Sequence, residues 1–123
     1  MLSSMAPTIL AKDGQLYMVT GTPGGRTIIN TVLMTILNVV DFGMNAQEAV
    51  DAGRIHHQWL PDRLSMERFA FSADTIKLLQ GMGHTINEGG NQGAAQVIVF
   101  NQKENMLEGG VDRRPPDGGA AGK

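Results

Sequence analysis

Gly21-Thr22-Pro23-Gly24-Gly25-Arg26, with the apolar run Ile28-Ile29-Asn30-Thr31-Val32-Leu33 behind it, decides how the chain is read. Before this stretch, Leu16 to Thr20 is apolar and suits a strand. After it, Arg26 to Phe42 holds neither glycine nor proline and places apolar residues at three- and four-residue steps, the period of a helix. A glycine-rich turn therefore sits where a strand ends and a long helix begins. The first N–H groups of a helix lack intrahelical partners and lie at the positive end of its dipole. Glycine lets a ligand approach the backbone there, so the pattern predicts a small anion site made of main-chain amides. It is not a nucleotide loop. No Gly-Lys-Ser/Thr follows, and the G-x-G-x-x-G spacing is missing.

Working outward, Ile28, Ile29, Val32, Leu33, Ile36, Leu37, Val39 and Val40 give the helix a broad apolar face. Such breadth predicts a helix covered on most sides and packed on a sheet. Its β-branched residues lower intrinsic propensity, so burial must sustain it. Gly43 is the expected stop. Asn45 with Glu48 forms a capping box for a helix over Ala46 to Ala52. Upstream, Thr8 to Ala11 and Leu16 to Thr20 flank Asp13-Gly14, a hairpin signal. Downstream, Arg54 to Leu60 and Arg63 to Arg68 read as paired strands about Pro61-Asp62. Ser72 caps a helix over Ala73 to Met82, with Ile76, Leu78, Leu79 and Met82 on its buried side. His84 to Asn87, Ala94 to Phe100 and Met106 to Val111 complete the strands. The order β-β-α-α-β-β-α-β-β-β predicts an α+β fold, an antiparallel sheet faced by helices. The expected domain is single and covers 1–112, with a Pro/Gly-rich tail over 113–123.

Bulk properties exclude several classes. At 123 residues the chain suits one domain of ordinary size. A formal charge of −2 offers no basic field to nucleic acid. The absence of cysteine excludes disulfides, thiolate catalysis and Cys-ligated zinc. No apolar run reaches the length of a membrane span, and Met1-Leu2-Ser3-Ser4 lacks the regions of a signal peptide. His56 and His57, adjacent on a strand, point to opposite faces. With His84 isolated and no carboxylate at ligand spacing, neither a metal nor a cofactor is expected; one imidazole should be buried and bonded, the other exposed. Ser3 and Ser4 read as a solvated turn or cap, or as a pair of donors for a substrate carboxylate. No G-x-S-x-G makes either a nucleophile. Arg113-Arg114 reads as a solvated anchor.

Leu2-Ser3-Ser4-Met5, Gly21-Thr22-Pro23-Gly24-Gly25, Ile36-Leu37-Asn38-Val39-Val40, Arg54-Ile55-His56-His57-Gln58-Trp59-Leu60-Pro61-Asp62, Gly93-Ala94-Ala95-Gln96 and Asp112-Arg113-Arg114-Pro115, in this order, resemble the C-terminal part of γ-glutamyltransferase (γ-glutamyltranspeptidase, glutathione hydrolase). The likeness spans essentially the whole chain. It implies part of a four-layer αββα N-terminal-nucleophile hydrolase. In that family a precursor cleaves itself into two subunits. The threonine that begins the small subunit attacks a γ-glutamyl amide, such as that of glutathione, and passes the glutamyl group to water or an amine. The resemblance makes Gly24 and Gly25 oxyanion-hole donors, and Ser3 and Ser4 contacts for the glutamyl α-carboxylate. It also implies frequent export.

The nucleophilic threonine, the α-amino contacts and a large-subunit arginine have no match here. The resemblance implies proline at the position held here by Gly53, a departure from the family's pattern. The chain is therefore expected to be an enzyme fragment that is inactive alone. Its partners would be the missing large subunit and the earlier part of the small one, or further copies of itself. The alternatives are a non-catalytic interaction protein that kept the fold, or a small-anion-binding module.

Overall fold

The computed structural model describes residues 4–122. Its elements follow the expected order: β1 (Thr8–Lys12), β2 (Gln15–Gly21), α1 (Ile28–Val40), α2 (Ala46–Asp51), β3 (Ile55–His56), β4 (Leu64–Glu67), α3 (Ala73–Gly81), β5 (Ile86–Gly89), β6 (Gln96–Asn101) and β7 (Met106–Val111). They gather into two compact units, residues 4–52 with 93–122, and residues 53–92.

The first unit is built on a four-stranded antiparallel sheet in the order β1-β2-β6-β7. The β1–β2 turn is tight because Asp13 (φ 53°) and Gly14 (φ 77°) both take left-handed backbone, the requirement of a two-residue hairpin. Strand alternation sends Met18, Val97 and Val99 to one face. There they meet Val39 of α1 and Ala46, Ala49 and Val50 of α2 in the core. Asn45 caps α2 as expected: its side chain accepts from the Glu48 N–H at 2.9 Å while the Glu48 carboxylate accepts from the Asn45 N–H at 3.0 Å.

The expectation that α1 is covered on most sides is not met. Ile28, Thr31, Val32, Thr35 and Val39 are buried, but Ile29, Leu33, Leu37 and Val40 are exposed. Among the described residues of this unit, the four-stranded sheet and α2 cover one side of the helix. The described residues after β7 hold no strand or helix, yet Arg114 is not the solvated residue expected. Its guanidinium donates to Val50 O (2.8 Å), Ala52 O (2.9 Å) and Asp112 Oδ1 (3.0 Å). It thus satisfies carbonyls at the C-terminal end of α2, which a helix leaves open. Arg113, by contrast, is mostly exposed, 3.4 Å from Asp51 Oδ2.

The second unit carries a three-stranded sheet, β3-β4-β5. β3 and β4 pair antiparallel, but β4 and β5 pair parallel, with α3 as the crossover between them. Parallel neighbours need such a crossover; the other described strand pairs are antiparallel, as expected. The strand expected over Arg54 to Leu60 is only Ile55–His56. Beyond it the chain turns at Trp59, whose φ is 71°. Ser72 caps α3 through the Thr75 N–H at 3.2 Å, but Leu78 and Met82, expected on its buried side, are exposed. Gly53 approaches Ala70 so closely that a Cβ on it would lie 2.5 Å from that of Ala70. Any side chain here, proline included, requires Ala70 to shift.

Candidate functional site

β2 ends at Gly21 and a single 3-10 turn, Gly25–Thr27, leads into α1. Between them, Gly24 (φ 147°) and Gly25 (φ 57°) adopt backbone that side-chain-bearing residues rarely take. Both glycines are exposed. Neither donates its N–H to any group among the described residues. Their carbonyls are occupied. Gly24 O accepts from the Thr27 N–H (3.2 Å) and the Thr27 hydroxyl (3.0 Å). Gly25 O accepts from the Ser4 hydroxyl and from the Ile28 N–H. The Thr22 hydroxyl donates to Pro23 O at 2.6 Å and accepts from the Ala94 N–H at 2.8 Å.

Gly93 closes the other side. At φ 69°, a Cβ there would lie 2.8 Å from Thr22 Oγ1 and 3.2 Å from Pro23 O and Thr31 Oγ1. A Cβ on Gly24 would lie 2.9 Å from Thr27 Oγ1 and 3.0 Å from Gly93 Cα. The loop is thus an exposed pair of amide donors at the start of a helix, held by carbonyl-directed hydroxyls and backed by glycine. Chemically, such a pair can bind a carboxylate or a transient oxyanion.

The structure brings Ser4 beside the Gly24-Gly25 pair. Ser3 lies outside the described residues. Of the residues that fasten the loop, Thr22 and Gly93 stand in the motifs quoted from sequence without a role of their own, and Thr27 stands in none. Hydroxyl residues flanking a Gly-Gly turn were the available signal.

A family model described as gamma-glutamyltranspeptidase matches residues 1–122. This chain belongs to the γ-glutamyltranspeptidase family. It is 46% identical over 121 residues to the glutathione hydrolase proenzyme of Escherichia coli K12, covering 98% of this chain and 20% of that protein. A solved γ-glutamyltranspeptidase from Helicobacter pylori superposes with a TM-score of 0.88 at 43% identity, covering 93% of this chain and 62% of that one. The Pseudomonas nitroreducens enzyme complexed with L-DON gives 0.86 at 38% identity, covering 100% and 64%. The chain therefore spans about a fifth of the E. coli relative's length. It has the α+β fold and forms part of the N-terminal-nucleophile hydrolase sandwich of these γ-glutamyltranspeptidases.

The histidines of this γ-glutamyltranspeptidase chain are paired with neighbours. His56 is buried with Nε2 2.9 Å from Gln58 Oε1. The buried, bonded imidazole is thus His56, and the other, His57, is half-buried rather than exposed; its Nε2 lies 3.2 Å from Asp62 Oδ1 and its Nδ1 accepts from the Trp59 N–H. His84, expected to be isolated, places its ring 6.2 Å from that of His57, edge to face. Among the described residues no three His, Asp or Glu side chains converge as metal ligands.

Proposed function

We propose that this chain supplies the oxyanion-stabilising element of a γ-glutamyl amide hydrolase or transferase, with Gly24 and Gly25 N–H as the donors. The supporting observation is that both glycines are exposed and their N–H groups donate to no described group, while each glycine carbonyl is tied down. As the glutamyl carbonyl is attacked, negative charge grows on its oxygen. Donors already aimed at that point stabilise the transition state without reorganising, about 3 kcal/mol for one such donor. The E. coli relative's name, glutathione hydrolase proenzyme, makes glutathione the substrate to test first. The nucleophile would be the N-terminal threonine that the family resemblance implies, using its own amine as base. Thr8, Thr20 and Thr22 are internal and cannot do so.

Ser3 and Ser4 are proposed contacts for the substrate α-carboxylate. The Ser4 hydroxyl has a single proton, and that proton is directed to Gly25 O. Binding a carboxylate at Ser4 thus requires the hydroxyl to turn away from the loop.

The 123 residues alone are expected to be inactive. Purified chain and a chromogenic γ-glutamyl anilide test this, and turnover above buffer would overturn it. The second reading, an interaction module that kept the fold, draws on the exposed apolar residues of α1.

A further inference from the structure

We infer that Thr22 and Thr27 are positioning residues, each aiming one glycine amide through the carbonyl at the other end of the same peptide bond. This rests on the assignment of Gly24 and Gly25 to the oxyanion. Three consecutive carbonyls, of Pro23, Gly24 and Gly25, each accept from a side-chain hydroxyl: Thr22, Thr27 and Ser4 in turn. The peptide bonds joining these residues are trans. In a trans peptide the C=O and the following N–H lie in one plane and point opposite ways. Fixing Pro23 O toward Thr22 therefore turns the Gly24 N–H away from Thr22. Fixing Gly24 O toward Thr27 does the same for the Gly25 N–H. Pro23 has no N–H and adds no rival donor.

The anchoring is needed because two glycines in sequence are the residues least able to hold a direction by themselves. Thr22 is itself set from behind. Its hydroxyl accepts from the Ala94 N–H at 2.8 Å while donating to Pro23 O at 2.6 Å, using both capacities of one group. The β-branch restricts its rotamers, and the close approach of Gly93 leaves Thr22 Oγ1 little room to swing. Thr27 shares its carbonyl with its own N–H at 3.2 Å, so losing its hydroxyl should matter less.

The test is steady-state hydrolysis of a γ-glutamyl anilide by the assembled enzyme that carries this chain. Thr22→Val should lower kcat about ten- to a hundredfold, the scale of a displaced reacting contact. KM should change by less than about twofold, because the amide direction matters once charge develops. Thr22→Ser should recover most of the loss. Thr27→Val should fall the same way by a smaller factor, recovered by Thr27→Ser. If both valine variants keep kcat within about twofold of the parent, the inference is overturned. A loss that serine does not repair also overturns it, because the methyl group would then be responsible. Should Thr22→Val fail to accumulate, Thr27→Val and the two serine variants decide. Gly24→Ala and Gly25→Ala run alongside. Full kcat in both sinks the oxyanion assignment itself, whereas loss there with intact valine variants sinks only the positioning roles.

Discussion

Asp112 shows what one side chain can hold together. Its carboxylate is fully buried, accepting from the Ala95 N–H at 2.7 Å and from the Arg114 N–H and guanidinium at 3.0 Å each. Arg114 is mostly buried too and carries the same link on to Val50 O and Ala52 O. The beginning of β6, the end of β7 and the end of α2 are thus joined through one ion pair. Removing one member of a buried pair leaves the other charge uncompensated, which costs more than the pair contributes. Asp112→Ala should therefore lose about 3 kcal/mol of stability, read from urea unfolding with an unchanged slope. A loss under about 1 kcal/mol would show that water or neighbours compensate Arg114. Neither residue's burial was legible in Asp112-Arg113-Arg114-Pro115, because two adjacent arginines in a proline-rich stretch look solvated. Their alternate fates depend on which one reaches α2.

Among the elements, those with a local chemical signal could be read from sequence. Asp13-Gly14 fixes the β1–β2 hairpin and Asn45 with Glu48 fixes the start of α2. Asn45→Ala should remove the capping box and destabilise by about 1 kcal/mol. Thermal melting reads this, and an unchanged midpoint would mean that packing alone sets the helix start. Features set by distant partners were not legible. Nothing local distinguishes β5 as a parallel neighbour of β4, or says that α3 leaves Leu78 and Met82 in solvent. The candidate site divides the same way. The glycine pair stands out because left-handed backbone demands it, while Gly93 enters from a segment far along the chain.

For the whole molecule, uncovered apolar surface is the main feature of the first unit. α1 leaves Ile29, Leu33, Leu37 and Val40 in solvent, at helical spacing along one side. On the sheet, Ile9 opposes Val19 and Val19 opposes Ile98, and both isoleucines are exposed. The isolated chain should therefore bind an apolar dye or self-associate. Leu33→Glu with Leu37→Glu should reduce both without lowering the unfolding midpoint. A strictly monomeric parent with no dye-accessible patch would count against this. We propose that the independently folding chain extends past the expected boundary at 112, because Arg114 caps α2. A version ending at Asp112 should be less stable than one ending at Pro116; equal melting would restore the shorter boundary.

β6 lies between β2 and β7 although the whole of 53–92 separates it from β2 in the chain. The Thr20 hydroxyl reaches Gln96 O across 76 positions. During synthesis, β2 lacks its neighbour on one edge until residues 96–101 emerge, and a two-stranded hairpin is marginal in water without further strands or a packed helix. Closing so wide a loop is slow. A nascent chain stalled before residue 93 would expose the core-facing Met18 to proteases, and arrest there should leave a readily digested product.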